Sequence, residues 1–166
     1  MFEKSLIRKS SMAKEIEHKY LVVNDDYKMM ASSCNIICQG YLSLDKNRTV
    51  RIRTIDNQGF VTIKGKNQGA VRQEFEYCIP YSDAKQMLET LCLKPVIVKS
   101  RYVVMFEGNK WEIDEFEADL KGLVLAEIEI PDVDYEYGIP KFIGKNVTGD
   151  ERYYNSVLST STSLPK

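Results

Sequence analysis

The stretch KEIEHKYLV, residues 14–22, alternates charged and apolar side chains. The charged parity carries Glu15, Glu17 and Lys19, and the other parity carries Ile16, Tyr20 and Val22. Because successive side chains of a β-strand point to opposite faces, this pattern predicts a strand with one charged face and one mostly apolar face.

Similar alternation recurs along most of the chain and predicts seven further strands. These are Ile36–Leu44, Thr49–Ile55, Gly59–Lys66, Val71–Ile79, Ile97–Phe106, Lys110–Phe116 and Leu123–Ile130. Turn-forming stretches such as DNQG and EGNK separate them, which favours antiparallel neighbours. Two stretches predict helices: YSDAKQMLETLCL with Ser82 as its N-cap, and TGDERYYNSVLS with a capping-box spacing from Thr148 to Glu151.

Length and composition favour one compact domain. The chain has 166 residues, 43% of them hydrophobic, and a net charge of −1, so no basic, nucleic-acid-coating surface is expected. No apolar run reaches the roughly 18 residues of a membrane span, and the four cysteines form no C-x-x-C pair that would suggest zinc. We expect a cytoplasmic protein with a flexible extension over 1–13, a single domain over 14–160 and a tail over 161–166.

The charged parity of the predicted strands holds eight cations and eight anions. They are Lys19, Arg51, Arg53, Lys64, Lys66, Arg72, Lys99 and Arg101, against Glu15, Glu17, Glu74, Glu76, Glu112, Asp114, Glu127 and Glu129. The opposite parity holds residues expected to be buried, namely Ile16, Ile52, Val61, Ile63, Phe75, Tyr77, Tyr102, Ile113, Ile128 and Ile130. The solvent-exposed face of a β-sandwich would explain the charges of any one strand, but such faces usually also contain neutral polar residues.

We therefore predict a mainly β (α+β) fold, an eight-stranded antiparallel closed β-barrel with accessory helices and a charged lumen. Unpaired charge in a narrow lumen is costly unless a ligand completes the network. Lysine and arginine suit a phosphate chain, while clustered carboxylates suit a hard divalent ion, Mg²⁺ or Mn²⁺. This combination indicates metal-assisted phosphoryl transfer.

The sequence resembles the CYTH superfamily, the triphosphate tunnel metalloenzymes. EIEHK resembles the family's E-x-E-x-K signature, and the likeness continues through CQGYL, VRIR, TIKGK, RQEFEY, KSRY, WEIDEF and LAEIEI to VTGDERYYN. A lone E-x-E-x-K is weak evidence, whereas the ordered series over about residues 14–158 is specific. The departures are His18, where the family often has arginine, and Asn146, where glutamate is common. We interpret His18 as an outward-pointing surface residue.

The resemblance implies a tunnel that binds triphosphate with one or two divalent metals. It implies metal ligands at Glu15, Glu17, Glu127 and Glu129, with Asp114 nearby. The implied phosphate ligands are Lys19, Arg51, Arg53, Lys64, Lys66, Lys99 and Arg101. The implied catalytic set adds a Lys19–Tyr41 pair, which would favour an alkaline optimum, and Glu74 and Glu76, which would brace the cations or order a water.

The expected function is a metal-dependent hydrolase of tripolyphosphate or of a triphosphate-bearing small molecule. Two alternatives stay open at this point. A class IV-type adenylyl cyclase would use a ribose hydroxyl in place of water as nucleophile, and a non-catalytic polyphosphate or nucleotide sensor would keep the cations but lose a metal ligand. Both pairs of glutamates are present, which disfavours the sensor. Substrate choice, metal and a homodimeric state are left open.

Overall fold

The computed structural model describes residues 15–66, 68 and 71–165. The extension predicted over residues 1–13 lies outside the described residues, as does the last residue of the predicted tail, Lys166. No helix in the described part of the chain is both long and apolar enough to cross a membrane.

Ten strands and three short α-helices make up the fold over the described residues. The strands are β1 Glu15–Val22, β2 Ser33–Ser43, β3 Arg48–Ile55, β4 Gln58–Gly65, β5 Val71–Arg72, β6 Glu74–Ile79, β7 Ile97–Phe106, β8 Asn109–Phe116, β9 Val124–Glu129 and β10 Ile143–Asn146. The helices are α1 Tyr27–Met30, α2 Tyr81–Thr90 and α3 Asn155–Leu158, with 3₁₀ turns at Ala118–Leu120 and Glu151–Tyr153. The mainly β prediction is confirmed.

The strands form one antiparallel sheet in the order β10-β1-β9-β8-β7-β2-β3-β4-β6. The predicted closed eight-stranded barrel is not confirmed, because in the part of the chain that the structure describes hydrogen bonds do not close this sheet between β6 and β10. The predicted strand Val71–Ile79 is interrupted at Gln73: β6 pairs with β4, whereas the two-residue β5 pairs with the start of β1. The chain thus changes its pairing strand at Gln73. In the described residues, the two edges of the sheet are joined only where β5 pairs with the start of β1.

The outer face of the sheet is covered by two apolar clusters. One packs Ile16, Trp111 and Ile128 of the sheet against Tyr27 of α1 and Phe142. The other packs α2 on β3 through Ala84, Leu88 and Ile52. Not all of the predicted core is buried, because Ile63, Phe75 and Tyr77 on β4 and β6 lie beyond both clusters and are exposed.

A third cluster closes one end of the inner face. Ile97, Phe116 and Leu125 share the parity of the charged residues of β7, β8 and β9. The C-terminal residues Tyr153 and Leu158 pack on them. This end of the inner face is therefore apolar and covered, and the charged part lies next to it.

Two helix predictions need correction. Helix α2 begins at Tyr81 after Pro80, so Ser82 lies inside the helix and is not its N-cap. The predicted helix from Thr148 is a 3₁₀ turn followed by the single turn α3, because the Asp150 side chain accepts from the Arg152 amide and starts a tight turn.

Candidate active site

A cavity of about 350 Å³ lies along the inner face of the sheet. Seven cations and seven carboxylates line it: Lys19, Arg51, Arg53, Lys64, Arg72, Arg101 and Lys110, with Glu15, Glu17, Glu74, Glu76, Glu112, Glu127 and Glu129. The strict alternation seen in the sequence produces this lining, because it sends every second side chain of each strand inward. The cavity is formally neutral although it is densely charged.

Strands β1 and β9 place lysine and glutamate side by side. Glu17 lies opposite Glu129 and Lys19 opposite Glu127 in the antiparallel register. Lys19 Nζ lies 2.8 Å from Glu127 Oε1 and 3.6 Å from Glu17 Oε1. Burial alone would lower the pKa of Lys19, but these two carboxylates outweigh it and raise that pKa, so the lysine stays protonated.

Glu17 and Glu127, one from each E-x-E pair, repel each other. Burial and the neighbouring Glu127 raise the pKa of Glu17, while Lys19 and Arg101 lower the pKa of Glu127 against the effect of its own burial. Carboxylates that lack full neutralisation by the protein favour an added cation.

Strands β3, β4 and β6 form a second group around Glu76. Its Oε2 accepts from Arg53 Nη2 at 2.8 Å, from Arg51 Nη2 at 3.3 Å and from the Thr62 hydroxyl at 2.8 Å. Burial works against the charged form, and these three partners lower the pKa of Glu76 despite it. The Nε atoms of both arginines are buried and have no hydrogen-bond partner among the described residues, which leaves donor capacity for an anion.

A third group lies where the sheet changes partner. Lys64 of β4 donates to Glu15 Oε2 of β1 at 3.0 Å and also contacts Glu74 of β6. Burial and the neighbouring Glu74 raise the pKa of Glu15. The ion pair between Lys64 and Glu15 joins β4 to β1, where no hydrogen-bonded ladder connects them.

Lys99 and Asp114 form the most buried ion pair of the described residues, and Arg101 binds the same carboxylate. Arg101 Nε donates to Asp114 Oδ1 at 2.7 Å and Nη2 donates to Oδ2 at 2.6 Å. Lys99 Nζ donates to the same Oδ2 at 2.6 Å and to Asn155 Oδ1 at 3.2 Å. Burial lowers the pKa of Lys99 to about 8.

Tyr41 also lines the cavity, from β2. It is 4% exposed, and its hydroxyl accepts from Gln39 Nε2 at 3.3 Å. Burial raises the pKa of Tyr41, so the phenol is a neutral donor at ordinary pH.

Most of the predicted site residues lie together in this cavity. Three do not line it: Lys66 is exposed just beyond β4, while Lys99 and Asp114 are buried beneath the lining. The predicted ligand and catalytic sets omitted three charged residues that do line it, Arg72, Lys110 and Glu112. Their signal was present in the sequence, because all three share the charged parity of their strands.

The C-terminal segment, which the strand pattern could not reveal, also contributes to the lining. Thr148, Gly149 and residues 154–156 border the cavity. The Thr148 hydroxyl accepts from the Lys19 amide at 2.9 Å, and Lys19 Nζ lies 3.4 Å from the Tyr153 carbonyl oxygen. The segment therefore supports Lys19 from its backbone and its side-chain end.

His18 holds the outer side of β1. It points away from the cavity as predicted, but it is half-buried and its Nδ1 lies 2.6 Å from the Tyr137 hydroxyl, which also lies 2.6 Å from the Tyr20 hydroxyl. His18 is thus an outward-pointing and partly exposed residue, whose ring is held by Tyr137. Its ring and Tyr20 tie β1 to the segment between β9 and β10.

The donor set of the cavity suits a hard divalent cation. Glu15, Glu17, Glu127 and Glu129 offer only oxygen ligands, as Mg²⁺ and Mn²⁺ prefer. In the described residues no three acidic, histidine or cysteine side chains converge closely enough to hold an ion by themselves. Mg²⁺ usually binds through one or two carboxylates, several waters and substrate phosphates, so the residues present fit such an ion.

Comparison with known proteins places the chain in a family. The CYTH domain model matches residues 13–154. An inorganic triphosphatase from Acetivibrio thermocellus is 48% identical over 147 residues, covering 89% of this chain and 94% of that protein. An inorganic triphosphatase from Nitrosomonas europaea is 32% identical over 152 residues, covering 89% and 97%.

A solved structure agrees. The crystal structure of an inorganic triphosphatase aligns with a TM-score of 0.63 and 29% identity, covering 95% of this chain and all of that one. The match of the domain model and the 48% identity lead to one conclusion: the chain belongs to the CYTH domain family.

Proposed function

We propose that the protein is a metal-dependent inorganic triphosphatase that hydrolyses tripolyphosphate in the inner cavity. The observation that carries the proposal is the cavity itself, in which seven cations face seven carboxylates on a buried sheet surface. Two relatives that align over nearly their whole length are inorganic triphosphatases, which supports the same substrate class.

The phosphate chain binds to the cations of the cavity. Arg51 and Arg53 carry free Nε donors, Lys64 and Lys19 act as point charges, and Arg101 presents part of its guanidinium. Lys66 and Lys99 are left out of this set because neither lines the cavity.

The carboxylates hold the divalent metal. Glu15, Glu17, Glu127 and Glu129 are the proposed ligands, and Mg²⁺ or Mn²⁺ is the proposed ion. When bound, the ion neutralises phosphate charge and polarises the phosphoryl group. Lys19 and Arg101 hold Glu127 in the described arrangement, so binding requires these contacts to loosen as the cations turn to phosphate.

The residues of the chain then position the reaction. Water attacks the terminal phosphorus, a new P–O bond forms, the bridging P–O bond breaks, and pyrophosphate and phosphate leave. Lys19 keeps its proton and stabilises the charge that develops on the phosphoryl oxygens. The Tyr41 hydroxyl orients the reacting phosphoryl group, and Glu74 and Glu76 brace Lys64 and the two arginines.

All of these groups lie in the predicted domain of residues 14–160. They come from a single chain, so the proposed reaction does not need a second copy to complete the cavity.

Phosphate release from a substrate panel tests the proposal. Tripolyphosphate, ATP and thiamine triphosphate are each supplied with Mg²⁺, Mn²⁺ or EDTA. We expect fast release from tripolyphosphate with metal and none with EDTA. Cyclic AMP formed from ATP would replace the proposal by the cyclase alternative, and tight binding without any release would replace it by the sensor.

A further inference from the structure

Asp114 has no free oxygen. Its Oδ1 accepts from Arg101 Nε, and its Oδ2 accepts from both Arg101 Nη2 and Lys99 Nζ, all at 2.6–2.7 Å. The residue is 0% exposed and does not line the cavity. A carboxylate placed in this way is poorly available to a metal ion in the cavity, although the family resemblance implied a position near the metal.

Asp114 contacts one particular edge of the Arg101 guanidinium group. Asp114 binds the edge formed by Nε and Nη2, so the Nη1 and Nη2 ends extend toward Glu112 and Glu127, which line the cavity. A guanidinium held on one edge by a bidentate carboxylate has a fixed orientation, and its other edge, which here contacts Glu112 and Glu127, faces the cavity.

Lys99 also stabilises the ion pair between Arg101 and Asp114. It is 1% exposed, and besides Asp114 it contacts Asn155, which borders the cavity, and the ring of Phe116 in the covered end of the inner face. Lys99 therefore serves as a buried counter-charge in this arrangement, and the phosphate chain has no direct access to it.

We infer that Asp114 is a positioning residue that orients Arg101 toward the substrate phosphate, and that it does not bind the metal. The inference rests on the proposed function for the identity of the anion. Glu112 and Glu127 hold the outer edge of Arg101 in the described arrangement, and the phosphate takes their place when it binds.

Tripolyphosphate affinity in EDTA tests the inference directly, because a metal ligand has no role there. Because charge-assisted hydrogen bonds from Asp114 fix Arg101, Asp114→Asn is expected to weaken tripolyphosphate binding by about 10- to 100-fold in calorimetry. The control is Glu115→Gln, the next residue on β8, which faces outward to Tyr27 and Lys28 and is expected to change affinity less than twofold.

A double-mutant cycle separates orientation from general damage. Arg101→Lys keeps the charge but cannot form the bidentate contact, so adding Asp114→Asn to it is expected to weaken binding by less than about threefold. If Asp114→Asn alone leaves Lys99 unbalanced and disturbs folding, the comparison is repeated in the Lys99→Met background. There the same loss of affinity is expected, and circular dichroism verifies the fold.

Mn²⁺ binding without substrate supplies the opposing readout. Asp114→Asn is expected to keep the Mn²⁺ dissociation constant within about twofold, whereas Glu129→Gln, at a proposed metal ligand, is expected to raise it. Mn²⁺ affinity that falls in Asp114→Asn as much as in Glu129→Gln would overturn the inference, as would unchanged tripolyphosphate affinity in EDTA. A wild type that binds tripolyphosphate but releases no phosphate would reject the triphosphatase and leave this comparison valid.

Discussion

Arg51 and Arg53 share a single carboxylate, Glu76, although each is buried in the same cavity. Two guanidinium groups so close together repel, and burial together with Arg51 lowers the pKa of Arg53 to about 10. These two cations of the site are therefore close together and only partly neutralised. Such groups bind a polyanion because it supplies the missing charge.

Glu76→Gln is expected to destabilise the protein at neutral pH. It is also expected to make the free energy of unfolding depend less on pH in the acid range. Because the folded-state pKa of Glu76 is lowered, its ionised form stabilises the fold above the ordinary carboxyl pKa, and that stabilisation is lost as the pH falls through the lowered value. Hydrogen bonds to charged groups contribute about 1.5–3 kcal/mol, so the urea midpoint at pH 7 falls measurably.

The control for this experiment is Glu151→Gln, whose partner Lys46 is exposed. An exposed ion pair contributes little, so the control is expected to unfold like the wild type. Equal urea midpoints for Glu76→Gln and wild type at pH 7 would contradict the assigned role of Glu76.

The residue scale also shows what the sequence could and could not reveal. Parity alone predicted which side of each strand is charged, and the cavity confirms it. The position of a residue on the charged face does not indicate how deeply its side chain is buried, so Lys99 and Asp114 were grouped with the lining residues. They are buried because Tyr153 and Leu158 cover the neighbouring Ile97 and Phe116, a contact between distant segments with no local signal.

Elements were predictable where their alternation is long and uninterrupted. Strands β1 and β7 have the predicted bounds, Glu15–Val22 and Ile97–Phe106. Strand β10 is only four residues long, without charged alternation, and was missed. Closure depends on which strand the chain pairs with on either side of Gln73, and a pattern with a period of two does not encode that choice.

Helix α2 gives a prediction at the scale of the element, because it packs tightly on β4. A Cβ atom on Gly59 would lie 2.8 Å from the Cβ of Ala84 and 3.0 Å from the carbonyl oxygens of Ile79 and Pro80. Gly59→Ala is therefore expected to destabilise the protein by about 1–3 kcal/mol, measured by urea unfolding.

Gly65→Ala is the matched control at the other end of β4. Its nearest neighbour would be the Gln73 side chain at 3.4 Å, which is ordinary contact, so a change below about 1 kcal/mol is expected. If Gly65→Ala costs as much as Gly59→Ala, close packing of α2 is not the cause.

At the scale of the whole molecule, the cavity joins nearly every strand of the sheet. Its lining comes from β1, β2, β3, β4, β5, β6, β7, β8 and β9 and from the C-terminal segment. A ligand that bridges these elements binds only the folded chain, and it therefore shifts the unfolding equilibrium toward the folded state.

Tripolyphosphate is accordingly expected to raise the melting temperature. A ligand present at 100 times its dissociation constant stabilises the fold by about 2.7 kcal/mol, or about 5–10 °C for a chain of this size. Differential scanning fluorimetry measures the shift, with sodium sulfate at equal ionic strength as the reference. A shift no larger than that produced by sulfate would contradict binding in the cavity.

Two arginines on the same strand test most directly whether the charged inner face of the sheet is the active site. Arg51 points into the cavity, whereas Arg48 is exposed at the start of β3 and pairs with Asp45. We expect Arg51→Gln to slow metal-dependent phosphate release from tripolyphosphate by at least about 100-fold, and Arg48→Gln to change it less than twofold. Equal rates for the two variants would show that the charged inner face is not the active site.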